Sequence, residues 1–574
     1  MKKIYNLKKY IILPLVLILF SGCNGVSESN ISETVENIYN NEVEVTIVPM
    51  YNPEFLGNET AEKNTWAELY KDYNIKVTKA FDVFNKEDVE KKMLECLANG
   101  NLPDISVMTS ENVYMINSHD VLYSLDEVLE QYATDELMKY LNFDGGIALK
   151  KATIDGKLYG LPIFEDKDMA LDSLEYLFIR KDWLNNLGLQ IPETMEDVYN
   201  IAKAFKESDP DKNGKNDTIG LIAHSDILST NAGLLGVFEA FGAMFGCEVS
   251  DGESGAVIFK NSDGILEWGG ASSENMKQAV AWLKDMYDNG YLYEIFFATT
   301  QNAVERKLCY GEAGMFFATG RYAMDIIYNV SKTEENAGFI AVKIPDGTRE
   351  NENINYSFDS SVKYYTVSKN CSNPEILVQL MNLAVDKLIY PESEKEYQKY
   401  HGDGKKFTGL VCCATPIIMP NSWLDTYETI NKAFEQNDKK IVENSIINAD
   451  MKKNYYAFMK KYLSVKASDQ TIDITDNEIL HGIMGNSLFG ENSICSTAKQ
   501  IIDEGKVAYN AYTGYTTENM IKINHTLNKF MTDSICNMIT GEIEIDTYND
   551  ILNQWYSQGG KEVVEEANKI QNQR

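Results

Sequence analysis

The stretch EDVEKKMLECLANGNLPDISVM, residues 87–108, contains a complete helix-to-strand unit. Its first half has the apolar period of an amphipathic helix, and Asn99-Gly100 predicts the turn that ends this helix. The apolar run Ile105–Met108 then predicts a short buried strand. The same order of strands and helices begins at Val43–Val48 and resumes after Gly160. This alternation predicts an α/β fold built on mostly parallel sheet.

The middle of the chain repeats this pattern with clearer boundaries. Glu175–Ile179 predicts a strand, and Thr194 predicts the N-cap of a helix in which Asp197 completes a capping box. Met276–Asn289 has the period of a long amphipathic helix, which Gly290 ends. The C-terminal third is rich in helical periods and poor in strand runs. No fixed-period repeat is visible, which argues against a solenoid or a propeller.

Composition and charge limit the class of protein. The 574 residues include 44% hydrophobic and 24% charged side chains, an ordinary globular balance. At about 150 residues per domain, this length predicts two to four domains or lobes. The formal net charge of −33 argues against a nucleic-acid partner, because DNA and RNA phosphates require clustered Lys and Arg.

The N-terminal segment predicts export. Residues 1–22 combine lysines with a short apolar run, as a signal peptide does, and the small residues before Cys23 resemble a bacterial lipobox. We therefore expect a lipid on Cys23, with a plain secretory signal as the alternative. Residues 23–41 are polar and predict a lipidated N-terminus and a flexible tether. No later run of about 18 apolar residues predicts a transmembrane helix.

Several segments in series resemble one family. LANGNLPDISVM (97–108), IDGKLYGLP (154–162) and the run that begins YLFIRKDWL (176–221) are similar to segments of the extracellular solute-binding lipoproteins of ABC sugar importers. GEAGMFFATGRYAMDI (311–326) and MITGEIEIDTYNDILNQWYSQGG (538–560) resemble the same proteins. The likeness is strongest to the Gram-positive and alginate-oligosaccharide-binding branch, and it runs in order over most of the chain after the tether.

This resemblance implies a periplasmic-binding-protein-like fold of type II, with two α/β lobes and hinge strands that the chain crosses more than once. It predicts an N-terminal lobe of residues 42–160 and 322–388. The C-terminal lobe is predicted to contain residues 161–321 and 389–574, with a helical extension. A ligand bound between such lobes closes them.

The loop DPDKNGKND (209–217) has the oxygen-ligand spacing of an EF-hand-type Ca²⁺ loop, with Gly214 at the tight turn. The twelfth position is Gly220 rather than Glu, which excludes a regular EF-hand, and Thr218 stands where the alginate-binding relatives have another carboxylate. The resemblance implies a structural Ca²⁺ site, and a water-solvated Asx-rich turn is the alternative. The implied ligands are Asp209, Asp211, Asn213, Lys215 through its carbonyl, and Asp217.

A second set of residues is predicted to line a sugar site, because sugar rings present C–H faces to aromatic rings and hydroxyls to polar groups. The resemblance places a stacking aromatic at Tyr322, and Arg321 beside it is a donor for a hydroxyl or a carboxylate. The remaining candidates are loop residues of the kind that line clefts, and core or surface packing is the alternative for each aromatic. They are Trp268, Trp423, Tyr512 and Tyr515, together with Phe164 and Glu165 after the first predicted hinge.

The sequence contains no nucleophile elbow, zinc-protease motif or Walker loop, so binding without catalysis is predicted. By the resemblance, we expect a monomeric receptor, lipid-anchored on the extracellular face of the cell membrane. It would capture an oligosaccharide and deliver it to the permease subunits of an ABC importer. Two alternatives stay open: a secreted carbohydrate-active enzyme with structural Ca²⁺, and a receptor of the same fold for a peptide or lipopeptide.

Overall fold

The structure is a computed structural model of the full chain. It describes residues 35–48, 65–81, 86–164, 168–243, 259–262, 264–333, 337–347, 355–357, 363–402, 410, 412–468 and 471–573. The predicted signal peptide, the lipidation site at Cys23 and the candidate ligand residue Glu165 lie outside the described residues.

The strands of the two main sheets and the α-helices are numbered in chain order. The strands are β1 (Val43–Ile47), β2 (Ile75–Lys79), β3 (Ile105–Thr109), β4 (Leu161–Ile163), β5 (Glu175–Arg180), β6 (Ile219–Leu221), β7 (Ala313–Thr319), β8 (Phe339–Val342) and β9 (Lys363–Val367). The earlier helices are α1 (Thr65–Asp72), α2 (Lys86–Ala98), α3 (Ser110–Asn117), α4 (Asp126–Tyr132), α5 (Asp135–Leu141), α6 (Ile147–Lys151), α7 (Lys181–Leu187), α8 (Met195–Glu207), α9 (Leu235–Ala240), α10 (Ser273–Asp288), α11 (Gln301–Cys309), α12 (Gly320–Val330), α13 (Ile376–Leu388) and α14 (Glu394–His401). The later helices are α15 (Ser422–Glu435), α16 (Lys440–Glu443), α17 (Ala449–Ala467), α18 (Asn477–Phe489), α19 (Ile494–Asp503), α20 (Glu518–Thr540), α21 (Tyr548–Trp555) and α22 (Lys561–Asn572). A π-helical turn spans Met169–Ser173, and a short parallel pair joins Asn355–Ser357 to Val507–Tyr509.

The first lobe is built on a five-stranded sheet in the order β2-β1-β3-β9-β4. β1 runs parallel to β2 and β3, whereas β9 runs antiparallel to β3 and β4. The apolar strand residues pack against α1, α3, α4, α5 and α13 in one core. Trp66 of α1 donates from Nε1 to the carbonyl oxygen of Tyr400 at 3.0 Å, which ties α14 to this core.

The second lobe is built on a four-stranded sheet in the order β8-β5-β7-β6. β5 runs antiparallel to β7 and β8, and β7 runs parallel to β6. Alternating residues of β5 face opposite sides of the sheet: Leu177 and Ile179 pack with α8, α10 and α20, and Tyr176 and Phe178 pack with α11, α12, α15 and α19. The helical C-terminal third therefore covers both faces of this sheet.

The predicted α/β class is confirmed, but the prediction of mostly parallel sheet is wrong, because both sheets are mixed. β5 and β9 each follow a segment that arrives from the other lobe, and each runs against the strands beside it. Short buried strands have the same apolar pattern in either direction. The sequence pattern therefore predicted the strands and not their relative direction.

The predicted lobe boundaries are partly wrong. Residues 322–333 and 337–347 belong to the second lobe, because Ile326 of α12 is buried in its core and β8 is one of its strands. The described residues of 389–417 belong to the first lobe, where Ile417 is buried. The chain passes between the lobes after β4, between β8 and β9, and after Ile417. Strand hydrogen bonding, which no local pattern shows, sets these crossing points.

Local predictions at α8 are confirmed. Thr194 Oγ1 accepts a hydrogen bond from the N–H of Asp197 at 3.2 Å, and the Asp197 carboxylate accepts from the N–H of Thr194 at 3.0 Å. This is the predicted capping box. Across the described ranges, each helix lacks either the length or the apolar character of a bilayer-crossing segment.

Candidate functional site

The candidate site lies between the sheet edges at which the chain passes from lobe to lobe. In the first sheet, β3 ends and β9 begins at the edge where β4 leaves for the other lobe. In the second sheet, Glu175 at the start of β5 is opposite Thr319 at the end of β7. The space between the lobes is therefore bounded by these two edges. A cleft of this kind can enclose most of the surface of a small polar ligand.

Two of the crossing segments are joined by reciprocal hydrogen bonds. Asn421 Oδ1 accepts from the N–H of Met169 at 2.7 Å, and Asp168 accepts from the N–H of Trp423 at 2.8 Å. Asp168 also accepts from the N–H of Ala170 at 3.1 Å. Burial raises the pKa of Asp168 to about 6. These bonds hold the π-helical turn against the start of α15.

Arg321, in the first turn of α12, makes a bidentate ion pair with Asp172 of the π-helical turn. Nε and Nη2 of Arg321 donate to the two carboxylate oxygens, Nη2 at 2.9 Å. Gly320 permits this approach, because a Cβ there would lie 2.6 Å from the carbonyl oxygen of Ala170. The Asp172 side chain is 9% exposed and that of Arg321 is 46% exposed. The Asp172 carboxylate thus binds the Arg321 guanidinium, which was predicted to donate hydrogen bonds to a ligand.

Trp423 and Tyr322 are both half-buried in the second lobe. Trp423 stacks on Phe489, with ring centroids 5.9 Å apart and planes inclined by 16°, so one face of its ring is covered by protein. Burial and the charge of Glu305 raise the pKa of the Tyr322 hydroxyl. That hydroxyl has no hydrogen-bond partner among the described residues. The structure therefore brings Trp423 and Arg321 to the same turn, and places the Tyr322 hydroxyl beside α11.

Two predicted ligand residues are core residues instead. Trp268 is buried, and its ring stacks on Trp555 with centroids 4.3 Å apart and planes inclined by 13°. Phe164 is buried against the rings of Tyr140 and Phe143, at 5.3 Å and 5.7 Å. Both side chains are buried by protein, so neither ring is available to stack on a sugar in this structure. The glycines beside Trp268 and the position of Phe164 after the predicted hinge suggested that both side chains are exposed. Packing against other segments of the chain buries them instead.

The predicted aromatic loop AYTGYTT makes a contact between the lobes. Tyr515 stacks on Tyr114 of α3, with ring centroids 4.7 Å apart and planes inclined by 13°. Tyr512 is buried, and its hydroxyl donates to the carbonyl oxygen of Tyr515 at 2.5 Å. Thr517 Oγ1 donates to Glu566 of α22 at 2.7 Å, which fixes the loop to the second lobe. Tyr512 therefore supports the loop, and Tyr515 presents its ring to the first lobe.

Sequence reasoning missed the acidic residues of this region. Asp168 and Asp172 lie in the run EDKDMALD, residues 165–172, and a run of acids directly after an apolar strand was the available signal. Glu175 was predicted only as a strand residue. Its carboxylate is buried and interacts with that of Glu239 in α9. Burial, and then the charge of Glu239, raise the pKa of Glu175 well above its usual range.

The predicted Ca²⁺ loop gathers its carboxylates around one amide. The Asp209 carboxylate accepts from the N–H groups of Asn213 and Gly214, each at 3.1 Å. Nδ2 of Asn213 donates to Asp211 at 2.7 Å and to Asp217 at 3.1 Å. Burial and the hydrogen bond to Asp209 raise the pKa of Asp211. The side-chain amide of Asn213 thus makes hydrogen bonds to two carboxylates, those of Asp211 and Asp217, that a cation could also bind.

In this arrangement the loop is not a formed metal centre. Among the described residues, no three His, Cys, Asp or Glu side chains make a metal-ligating group. Asn213 Oδ1 accepts from the N–H of Lys215 at 2.8 Å, so the amide oxygen points away from the carboxylates. Cation binding would therefore require the Asn213 amide to turn its oxygen inward.

The loop lies at the end of the second sheet that is opposite to the cleft. It leads into β6, where Ile219 pairs with Ala313 at the start of β7. Arg321 follows the other end of β7, about 20 Å away for a strand of this length. A cation in the loop would stabilise the second lobe without contact to a ligand in the cleft.

Residues 65–388 match the family described as bacterial extracellular solute-binding protein, and the chain belongs to that family. The chain is 29% identical to the polygalacturonan/rhamnogalacturonan-binding protein YtcQ of Bacillus subtilis, over 45% of this chain and 47% of that protein. That match spans about half the length of the relative. The chain is also 24% identical to lipoprotein LipO of Bacillus subtilis, over 99% of both chains.

Solved structures of low sequence identity share the fold. A solute-binding protein of Bifidobacterium longum infantis, described as HMO-binding and ABC-transporter-associated, has a TM-score of 0.58 and 15% identity, over 93% of this chain and 99% of that chain. An EF-hand mutant of Streptococcus pneumoniae FusA in complex with fructo-nystose has a TM-score of 0.51 and 14% identity, over 92% of this chain and 99% of that chain. The two-lobed solute-binding fold expected from the sequence is confirmed.

Proposed function

We propose that the chain is the substrate-binding component of an ABC importer and captures an oligosaccharide between its lobes. The observation that carries this proposal is membership of the solute-binding family, combined with a cleft edge where Arg321 pairs with Asp172 and the backbone N–H of Trp423 bonds to Asp168 of the same segment. Arg and Asp side chains hydrogen-bond to hydroxyls, and an indole covers a sugar face. YtcQ, FusA and the Bifidobacterium protein are each described by a carbohydrate ligand or an ABC transporter, which supports the same reading.

Binding would work by population shift. A ligand that contacts both lobes only when they are closed favours the closed arrangement by its differential affinity. The Tyr114–Tyr515 stack shows that the lobes already touch outside the crossing segments. The released ligand would be chemically unchanged, so the proposal includes no catalytic step.

We further propose the cellular setting predicted from the sequence. Cys23 would carry the lipid that holds the protein on the extracellular face of the membrane, and a monomer would deliver its ligand to the permease subunits. The description of LipO as a lipoprotein, over nearly the full length of both chains, supports the anchor. Mass spectrometry of the protein from membranes tests it, since a Cys23→Ser variant is expected in the medium without lipid.

Calcium is part of the proposal as a structural ion. The loop has Asp209, Asp211 and Asp217 around Asn213, and the FusA structure is described as an EF-hand mutant, which supports a related loop in that protein. The residues fit Ca²⁺, because all proposed ligands are oxygen donors once the Asn213 amide turns. The ion would brace the segment between α8 and β6.

One experiment separates the proposed function from its alternatives. The purified protein is titrated calorimetrically with fructo-, malto-, xylo- and galacturono-oligosaccharides and with a peptide mixture, and each mixture is then analysed for cleavage. We expect saturable binding of an oligosaccharide without cleavage, weakened at least tenfold by Trp423→Ala and unchanged by Trp282→Ala on α10. Turnover would establish the enzyme alternative, and binding of peptides alone would establish the peptide receptor.

A further inference from the structure

We propose that the oligosaccharide is neutral, without uronic acid carboxylates, because a carboxylate of the protein already occupies the cleft-edge arginine. This inference rests on the proposed function and names the class of ligand. Arg321 donates from Nε and Nη2 to the two oxygens of Asp172, which is the geometry that a ligand carboxylate would seek. To take this bidentate position, a uronate would have to displace Asp172 and leave this side chain, only 9% exposed, without its partner.

The rest of the second lobe's cleft edge is acidic. This edge consists of residues 168–175, 222–234, 293–299, 319–322, 343–347 and 420–423, which lie at the cleft ends of the strands or in the crossing segments. Among these described residues, the Lys and Arg side chains are Lys343 and Arg321. Lys343 lies 3.3 Å from Glu504, the residue after α19, so it too faces a carboxylate of the protein. Its acids include Asp168, Asp172 and Glu175.

Of the two buried acids at this edge, Asp168 opposes a ligand anion by its charge. Asp168 and Glu175 are almost fully buried, and both have raised pKa values because burial disfavours their charged forms. Glu175 therefore keeps its proton and adds no negative charge, whereas Asp168, with a pKa of about 6, is ionised at neutral pH and repels a ligand anion in a region where water screens little. His224 does not compensate, because burial lowers its pKa and its Nε2 is 2.8 Å from the carbonyl oxygen of Asn231.

Neutral sugar hydroxyls suit the same arrangement. A carboxylate accepts hydrogen bonds from hydroxyls, and a guanidinium held flat by Asp172 donates to hydroxyl oxygens at fixed angles. The half-exposed Arg321 has surface available while its pair with Asp172 stays intact. The pair therefore positions two kinds of hydrogen-bonding group without presenting a net positive charge.

Lys363 of the first lobe is the main competing anchor for a uronate. It begins β9 at the cleft edge and is opposite Thr109 and Ile163. Its side chain is exposed. A Lys363→Gln variant shows whether any uronate affinity depends on it.

The test compares ligand classes in one calorimetric panel at physiological salt: fructo-, malto- and xylo-oligosaccharides against trigalacturonate and trimeric mannuronate. We expect a neutral member to bind at least 100-fold more tightly than either uronate. If a uronate binds more tightly than every neutral oligosaccharide, the proposal of a neutral ligand is wrong and the proposed function stands. Absence of binding by every sugar would overturn both.

A charge variant tests the mechanism. Asp172→Asn releases Arg321 from its carboxylate partner and is expected to raise trigalacturonate affinity at least tenfold. Asp288→Asn on α10, where the acid pairs with Lys284 at 2.9 Å, removes the same charge away from the cleft and is the matched control. Equal effects of the two variants, or no gain for Asp172→Asn in a protein with unchanged melting temperature, would contradict the role of the Arg321–Asp172 pair.

Discussion

Replacing Tyr515 by alanine tests the contact between the lobes. Its ring lies 4.7 Å from that of Tyr114, centroid to centroid, with planes inclined by 13°. Covering about 40 Å² on each ring contributes about 2 kcal/mol at roughly 25 cal/mol per Å². The ring–ring interaction adds about 1 kcal/mol, and ordering the two side chains costs about 1 kcal/mol. The net of about 2 kcal/mol corresponds to roughly 30-fold in an equilibrium constant.

Loss of the stack is expected to weaken ligand binding, because the ligand must then supply the energy that holds the lobes together. Apparent affinity falls by the full factor when the free protein is mainly open, and by less when it is already closed. Titration calorimetry with the tightest-binding sugar of the panel measures the change, expected to be about 10- to 30-fold. Small-angle scattering of the free protein is expected to show a larger radius of gyration.

Tyr515→Phe is the matched control for this prediction. It keeps the ring on Tyr114, and it leaves the backbone carbonyl that accepts from the Tyr512 hydroxyl at 2.5 Å. We expect binding within about threefold of the unmodified protein, below about 0.7 kcal/mol. If Tyr515→Ala binds as tightly as the unmodified protein and scatters identically, the stack does not stabilise the lobe arrangement and the reasoning is refuted.

Trp268→Ala is expected to lower the free energy of unfolding by about 3–5 kcal/mol, because the Trp268 ring packs on Trp555. Sugar affinity is expected to change less than about twofold. A large loss of affinity in a folded variant would show that Trp268 contacts the sugar. Asp209→Ala is expected to abolish any rise in melting temperature on adding Ca²⁺, and an equal rise in variant and unmodified protein would place Ca²⁺ elsewhere. The raised pKa of Glu175 means that the folded state keeps a proton that the unfolded state releases, so this group's contribution to stability falls as pH rises above the ordinary carboxyl range. The melting temperature should therefore fall less between pH 5 and pH 8 for Glu175→Gln than for the unmodified protein or the surface control Glu274→Gln. Equal falls in all three proteins would contradict the raised pKa of Glu175.

Much of the fold could be predicted from local pattern. The strand at Glu175–Arg180, the capping box at Thr194 and the helix before Gly290 each depend on neighbouring residues, and each is present. Strand direction and the crossing points could not be predicted, because they depend on pairing between residues far apart. The short strand Lys363–Val367 pairs with two strands more than 190 residues before it.

The candidate site was predicted less well because cleft and core use the same residue types. Trp268 and Trp423 were both predicted to lie in loops. Trp268 instead ends the strand Ile265–Trp268 and is buried, whereas Trp423 lies at the start of α15 and is half-buried. Arg321 was predicted as a ligand contact, whereas its partner Asp172 was not, since the pair joins residues 149 positions apart. Sequence position identified the region around Gly320 but not the charge balance within it.

The hinge and the ligand-facing groups of the second lobe form one unit. Asn421 Oδ1 accepts from the N–H of Met169, and the Asp168 carboxylate accepts from the N–H of Trp423, so these bonds join two crossing segments. Asp172, a few residues along the same turn, orients Arg321. Because these bonds are made within the second lobe, the lobes can move while the polar groups on this side keep their mutual geometry. A site that is ordered before the ligand arrives avoids much of the entropy cost of binding. The acidity of the cleft edge is therefore a fixed property of the second lobe rather than a consequence of closure, and it selects against an anionic ligand in the open state as well.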